Sequence, residues 1–279
     1  MPIHDQGYRR YAGGKAPRGR AWAVIARAGI RTLLRKRAFL GLLLVSWFPF
    51  VVRAVQVYAA ANFPQAAILA PSAQTFRDFL DNQDIFVFAL SVYVGAGLIA
   101  NDRRAQALQI YLSRPLTRAE YVFGKMAILI TLVLLITWVP AIVLLVLQVL
   151  FAGDFAFVTA NAYLFPAITV FSLVEAVLVS AAMLALSSLS TSSRFVGILY
   201  AALIFFTDAL FAVSRIVTGG TSLSWIALGK ALGQVGDVIF RVPPRFQTPW
   251  PLSLLVVIAV IAVSGVVLER RVRGVEVIV

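Results

Sequence analysis

Residues 101–125 read NDRRAQALQIYLSRPLTRAEYVFGK, the one long polar but strongly patterned interruption between apolar runs. Asp102 to Leu112 is predicted as a short helix, its apolar side carrying Leu108, Ile110, Tyr111 and Leu112. Pro115 stops it, because the residue before a proline is pushed out of the α region and proline has no N–H to donate. Thr117-Arg118-Ala119-Glu120 then has the T-x-x-E spacing of a capping box, with Leu116 and Tyr121 at the positions of a hydrophobic staple. The helix so capped continues through Gly124 and Lys125 into Met126 and a long apolar run. At 1.5 Å per residue, its stretch from Thr117 to Lys125 projects from a membrane by roughly 12 Å. The pattern is helix, hard turn, capped helix.

The flanking composition is that of a bilayer protein. Mean hydropathy is +0.89, 61% of residues are hydrophobic and 13% are charged, against about 25% charged in soluble domains. Several apolar runs reach the roughly 20 residues that cross ~30 Å of hydrocarbon. The net charge is +13, and its placement reads as topology. Ten basic residues from Arg9 to Arg37 precede the first span. Arg103, Arg104, Arg114, Arg118 and Lys125 lie in the opening stretch, Arg194 between spans four and five, and Arg270, Arg271 and Arg273 at the end. With six spans these all fall on one side, which the positive-inside rule makes cytoplasmic, with both termini. Nucleic acid is not the expected partner; anionic membrane lipid is. There is no cysteine, which excludes disulfides and thiolate metal sites, and the sole histidine, His4, lies in the polar N-terminal tail. The basic region ahead of the first apolar run is too long for a signal peptide.

The predicted fold class is an all-α integral membrane protein. Residues 1–37 form a cytoplasmic tail and an amphipathic interfacial helix, 38–268 a six-span domain and 269–279 a cytoplasmic tail. From Arg20, Arg27, Arg31 and Arg35 stack at i, i+4 and i+8, opposite Trp22, Ile25, Ala26, Gly29 and Leu33, the pattern of a helix lying in the membrane interface. The predicted spans are 38–58 (with Pro49 and Arg53), 79–100 (with the small residues Ser91, Gly95 and Gly97), 126–151 (bent at Pro140), 162–189, 195–214 and 251–268. Ser190–Arg194 reads as a tight turn. In residues 216–249, Trp225, Leu228, Leu232, Val235 and Ile239 recur at helical spacing, which predicts a short helix half-buried in the outer leaflet. No internal repeat is evident.

Chemistry is sparse. No Walker A sequence occurs, since Ala119 stands where Gly124-Lys125 would need the first glycine, so the chain does not bind ATP in that way. One histidine, in the tail, excludes a buried Ser–His pair. Ionisable groups inside spans are costly and are candidates for function: Glu175 in span four, Asp208 in span five and Arg53 near the outer end of span one. They either line a substrate path or gate, or pair with a basic or hydroxyl group to lock helix packing.

The wording of 101–125, a leucine- and tyrosine-bearing helix followed by SRPLTRAEYVFGK and a long span, resembles the cytoplasmic loop of ABC exporter permeases of the type-2 superfamily. Where members of that family often open with E-R-E-x-G-T, this chain has Asn101 to Ala107, so charged contacts differ. The resemblance implies a permease subunit in the bacterial plasma membrane, paired with a second permease chain (identical or sister) and two cytosolic ATPases. Those ATPases, and not this chain, would bind ATP and magnesium. It implies that a coupling helix docks in a groove of the ATPase through Arg103, Arg104, Leu108, Tyr111, Leu112, Arg114, Pro115, Leu116, Arg118 and Tyr121, with Glu120 holding the cap. It also implies that the helix bearing Trp22, Arg27, Arg31 and Arg35 touches the ATPase, and that no catalytic or metal residue lies in this chain. Two alternatives stand beside it: a non-transporting scaffold or sensor that anchors an ATPase, and an ion-coupled secondary transporter using Glu175 and Asp208 as its relay.

Overall fold

The computed structural model describes residues 21–65, 70–106, 117–153 and 156–272. Among them every regular element is helical, and six segments are long and apolar enough to cross a membrane. The elements are α1 (Ala21–Leu34), α2 (Arg37–Ser46), α3 (Phe48–Asn62), α4 (Ala73–Leu90), α5 (Ala100–Arg104), α6 (Arg118–Ile136), α7 (Trp138–Ala152), α8 (Ala156–Ala160), α9 (Leu164–Leu189), α10 (Ser193–Thr218), α11 (Leu228–Ile239) and α12 (Trp250–Arg271). The six spans run over Arg37–Asn62, Ala73–Arg104, Arg118–Ala152, Leu164–Leu189, Ser193–Thr218 and Trp250–Arg271. Hydropathy therefore locates every span, and its ends fall short because polar turns of helix extend beyond the apolar stretch. The end of the bundle that carries α1 and the turn between spans four and five is called the near end here; α11 lies at the far end.

Three spans are interrupted, each for a local reason. Pro49 and Pro140 sit at the second and third positions of α3 and α7, so the helices break just upstream, at Trp47 and Thr137. Thr137 bridges its break: its N–H and its hydroxyl both donate to the Val133 carbonyl, at 3.0 Å each. In span two, α4 passes into a π turn over Ser91–Gly95 and an irregular stretch before α5. Ser187 of span four repairs it. Its hydroxyl accepts from the N–H groups of Ile99 and Ala100 at 3.1 and 3.0 Å and donates to the Ala96 carbonyl at 2.9 Å. A buried N–H without a partner costs about 1–3 kcal/mol, so this one hydroxyl stabilises the break.

Span four is the central element, packed against spans three and six. The core has a near half, around Leu90, Ile99, Ile128, Leu129 and Met183, and a far half around Phe76, Phe79, Leu144, Ile168, Phe171 and Phe240. Spans one, five and six instead expose apolar side chains such as Val51, Val55, Ile198, Phe206, Val213, Leu255 and Val263, the surface that lipid tails cover.

Two expectations need correction. The helix predicted from Asp102 to Leu112 is not continuous: α5 ends at Arg104, and Gln106 adopts a left-handed φ of 52°, which no α-helix accommodates. The far-end helix, α11, is packed on protein more fully than an apolar stripe at helical spacing implies. Its face from Ala231 to Asp237 is buried against span six and its neighbours, and Trp225 belongs to a preceding 3-10 turn, Ser224–Ile226. Two glycines and buried polar groups let α11 dock on protein, a fit that apolar spacing alone does not reveal.

Candidate functional site

At the near end, residues 101–106 and 117–125 are each anchored to neighbouring elements. The capping box forms as its spacing predicts. Thr117 Oγ1 accepts from the Glu120 N–H at 3.2 Å, and Glu120 Oε2 accepts from the Thr117 N–H at 3.0 Å. The Glu120 carboxylate also meets the backbone of Ala21, where α1 begins. One turn on, Tyr121 is buried and its hydroxyl donates to Asp102 Oδ2 at 2.7 Å. Lys125 reaches the same oxygen at 2.7 Å and lies 5.5 Å from the Tyr121 ring centroid. Asp102 thereby ties the end of span two to the first turns of span three. Arg103 donates to the Ser188 carbonyl at the end of span four. Arg104 and Arg118 are exposed.

The helix α1 rests on this platform. A Cβ on Gly124 would fall 2.9 Å from Ile25 Cβ and 3.0 Å from the Trp22 carbonyl oxygen, so the two backbones cross with nothing between them. Ala26 and Leu33 are buried, while Arg27 and Arg31 face outward on the opposite side. Arg35 lies one residue beyond the helix, and Trp22 is 44% exposed. The predicted apolar face thus packs on span three. Leu108, Tyr111, Leu112, Arg114, Pro115 and Leu116 lie outside the described residues.

At the far end, a cavity of about 410 Å³ runs inward between spans two, four and five and α11. It brings together Glu175 and Asp208, the two intramembrane carboxylates singled out from sequence, and adds Asp81, Asp84, Lys230 and Arg245. Asp84, Glu175 and Asp208 each lie ten or eleven residues from the far end of their helix, roughly 15 Å along the helix axis at 1.5 Å per residue. Asp84 is open to the cavity, and its carboxyl meets that of Glu175. Glu175 is 1% exposed and no donor reaches its Oε2 among the described residues. Arg53 is not part of this group; its guanidinium donates to Gln56 Oε1 on its own helix at 2.7 Å.

Beside the cavity, two guanidiniums and two carboxylates close a ring. Arg77 pairs with Asp81 one turn on and with Asp237 of α11 at 3.3 Å; Arg245 pairs with Asp237 at 2.7 Å and with Asp81. Arg77 and Asp237 are fully buried. Arg77 also donates to the Gly233 carbonyl at 3.0 Å and lies 4.6 Å from the Phe171 ring centroid. Gly236 makes room for it, since a Cβ there would fall 2.6 Å from Arg77 Nε. Partial burial works against the charge on Arg245, and its hydrogen bonds to Asp237 and Asp81 outweigh this, holding the guanidinium above its ordinary value. Asp81 and Asp84, both inside the predicted second span, were recognisable as intramembrane carboxylates at i, i+3 on one face. Asp237 and Arg245 carried no such signal, because charges in a connecting loop read as solvated.

A second, larger groove of about 1060 Å³ opens at the near end between α1, span two and span five, with Lys36, Lys125 and Arg194 near its mouth. Phe88 and Phe205 line both spaces, in edge contact at 5.6 Å between centroids, and Phe88 stacks on Tyr200 at 5.7 Å. An aromatic partition therefore stands between the basic groove and the acidic cavity. Compared with known proteins, the chain matches no family model and no curated protein, and what stands is an all-helical, multi-pass membrane protein with six helices able to span.

Proposed function

We propose that the chain is the membrane-spanning permease subunit of an ATP-driven exporter, working with a second permease chain and two cytosolic ATPases in a bacterial plasma membrane, its near end in the cytoplasm. The observation that carries this reading is Asp102, which fastens the end of span two to Tyr121 and Lys125 of span three. Residues 107–116, whose wording resembles a coupling helix, lie in sequence between those two fastened ends. A push on it would pass through the Thr117–Glu120 cap into the rigid rod α6 as far as the break at Thr137. The Gly124 crossing would carry α1 along with it. Movement there would open the partition between the two spaces and let cargo through.

The test is Asp102→Asn combined with Tyr121→Phe in the full chain reconstituted with its ATPase. Expected is normal insertion and ATP turnover with cargo movement lost; transport at the unmodified rate would remove Asp102 from the mechanism. A second reading, an ion-coupled carrier, draws support from Glu175 and Asp208 lining one cavity. Transport that persists without ATP and follows an ion gradient would favour it.

A further inference from the structure

We propose that the far-end cavity binds an amphipathic organic cation, its ammonium held by the facing pair Asp84 and Glu175 and its apolar body against Phe88, Tyr200 and Phe205. The inference names the cargo class of the permease proposed above, and it is read on the chain alone. Failure of cation binding and failure of ATPase coupling are therefore separate results.

Charge accounts for the sign of the ligand. Asp81 and Asp237 are neutralised by Arg77 and Arg245 in the closed ring, which leaves three carboxyls facing one ammonium, that of Lys230. Two facing carboxyls have no donor between them unless they share a hydrogen. Even with one shared by Asp84 and Glu175, the cavity retains one carboxylate more than it has cations. A buried carboxyl oxygen lacking a donor is expensive, and Glu175 Oε2 is such an atom, in the wall of this cavity. A bound ammonium supplies the missing donor.

Shape decides the kind of cation. The volume falls in the range of about 300–1,000 Å³ that takes drug-sized ligands, and aromatic rings at one side suit both an apolar body and a cation at their faces. Among the described residues, no three acidic or imidazole side chains converge closely enough to cage a metal ion. An inorganic cation would find too few oxygens, whereas an organic one needs only one or two.

The test is titration of the purified full chain, in nanodiscs of zwitterionic lipid, with the fluorescent cation ethidium, against chain-free nanodiscs. Expected is saturable binding, weakened at least tenfold by Asp84→Asn and by Glu175→Gln. Asp78→Asn, outside the cavity on the same helix, should leave it unchanged. The anion 1-anilinonaphthalene-8-sulfonate should show no such loss. Lys230→Gln removes the competing ammonium from a half-exposed position and should tighten ethidium binding severalfold, a gain that misfolding does not produce. Ethidium affinity unaltered by Asp84→Asn and Glu175→Gln overturns the proposal. If those two variants fail to fold, the Lys230→Gln titration decides, and unchanged or weaker binding there overturns it as well.

Discussion

Asp237→Asn removes one charge from the centre of the four-membered ring with almost no change in shape. Asp237 is fully buried and receives Arg77 Nε at 3.3 Å, Arg245 Nε at 3.1 Å to each oxygen, Arg245 Nη2 at 2.7 Å and the Arg245 N–H at 3.2 Å. The amide nitrogen of asparagine cannot accept, so about half of these bonds are lost and Arg77 is left as a buried, half-neutralised cation. Breaking a buried pair on one side costs about 3–5 kcal/mol. The side chain of Arg245 is 37% exposed, and water there softens the loss, so about 3 kcal/mol is the working figure. For a chain of this size, that lowers the melting temperature by roughly 6–10 °C. The assay is thermal unfolding of the detergent-solubilised protein, with Asp78→Asn as control. Among the described residues Asp78 receives only Gln74, at 2.6 Å on its own helix, and its change should stay within about 0.5 kcal/mol. The double variant Arg77→Met with Asp237→Leu should melt higher than Asp237→Asn alone, because no uncompensated charge is left. An Asp237→Asn protein melting within 2 °C of the unmodified chain, by about the sensitivity above, would refute the claim that the ring fastens α11 to span two.

Ser187→Ala strips the partner from the Ile99 and Ala100 N–H groups and should cost about 1–3 kcal/mol; faster amide exchange confined to residues 96–100 is the signature to measure. Gly124→Val places a side chain into Ile25 and the Trp22 carbonyl, where overpacking costs about 1–3 kcal/mol. Limited proteolysis should then release α1 while the six spans stay intact. Thr117→Ala removes the cap acceptor for the Glu120 N–H at about 0.5–2 kcal/mol, read as fraying of the first turn of α6 by hydrogen exchange.

The spans and the capping box were legible because they rest on local signals: twenty or so apolar residues in a row, a proline, a T-x-x-E spacing. The breaks at Trp47 and Thr137 follow from Pro49 and Pro140 in the same way. The π turn in span two was not legible, since it depends on a hydroxyl from Ser187, some ninety residues away in sequence. The ring of Arg77, Asp81, Asp237 and Arg245 was hidden for the same reason, its halves being held together only by tertiary packing. Glu175 and Asp208 were found from sequence as charges out of place, but their common cavity was not, because the rotation of each helix is set by its neighbours. Asp84 carries the same signal as Glu175, but it stands among the polar residues at the start of its helix, where one more carboxylate is not out of place.

The central claim is that residues 101–125 couple this chain to an ATPase, and co-expression with a P-loop ATPase from a neighbouring reading frame tests it most directly. The measurement is cargo moved per ATP hydrolysed in sealed vesicles, using ethidium, with and without the Asp102→Asn, Tyr121→Phe pair. The account predicts a stable complex whose transport per ATP falls at least tenfold in the variant while hydrolysis continues. No associated ATPase, or an unchanged ratio in the variant, would contradict it.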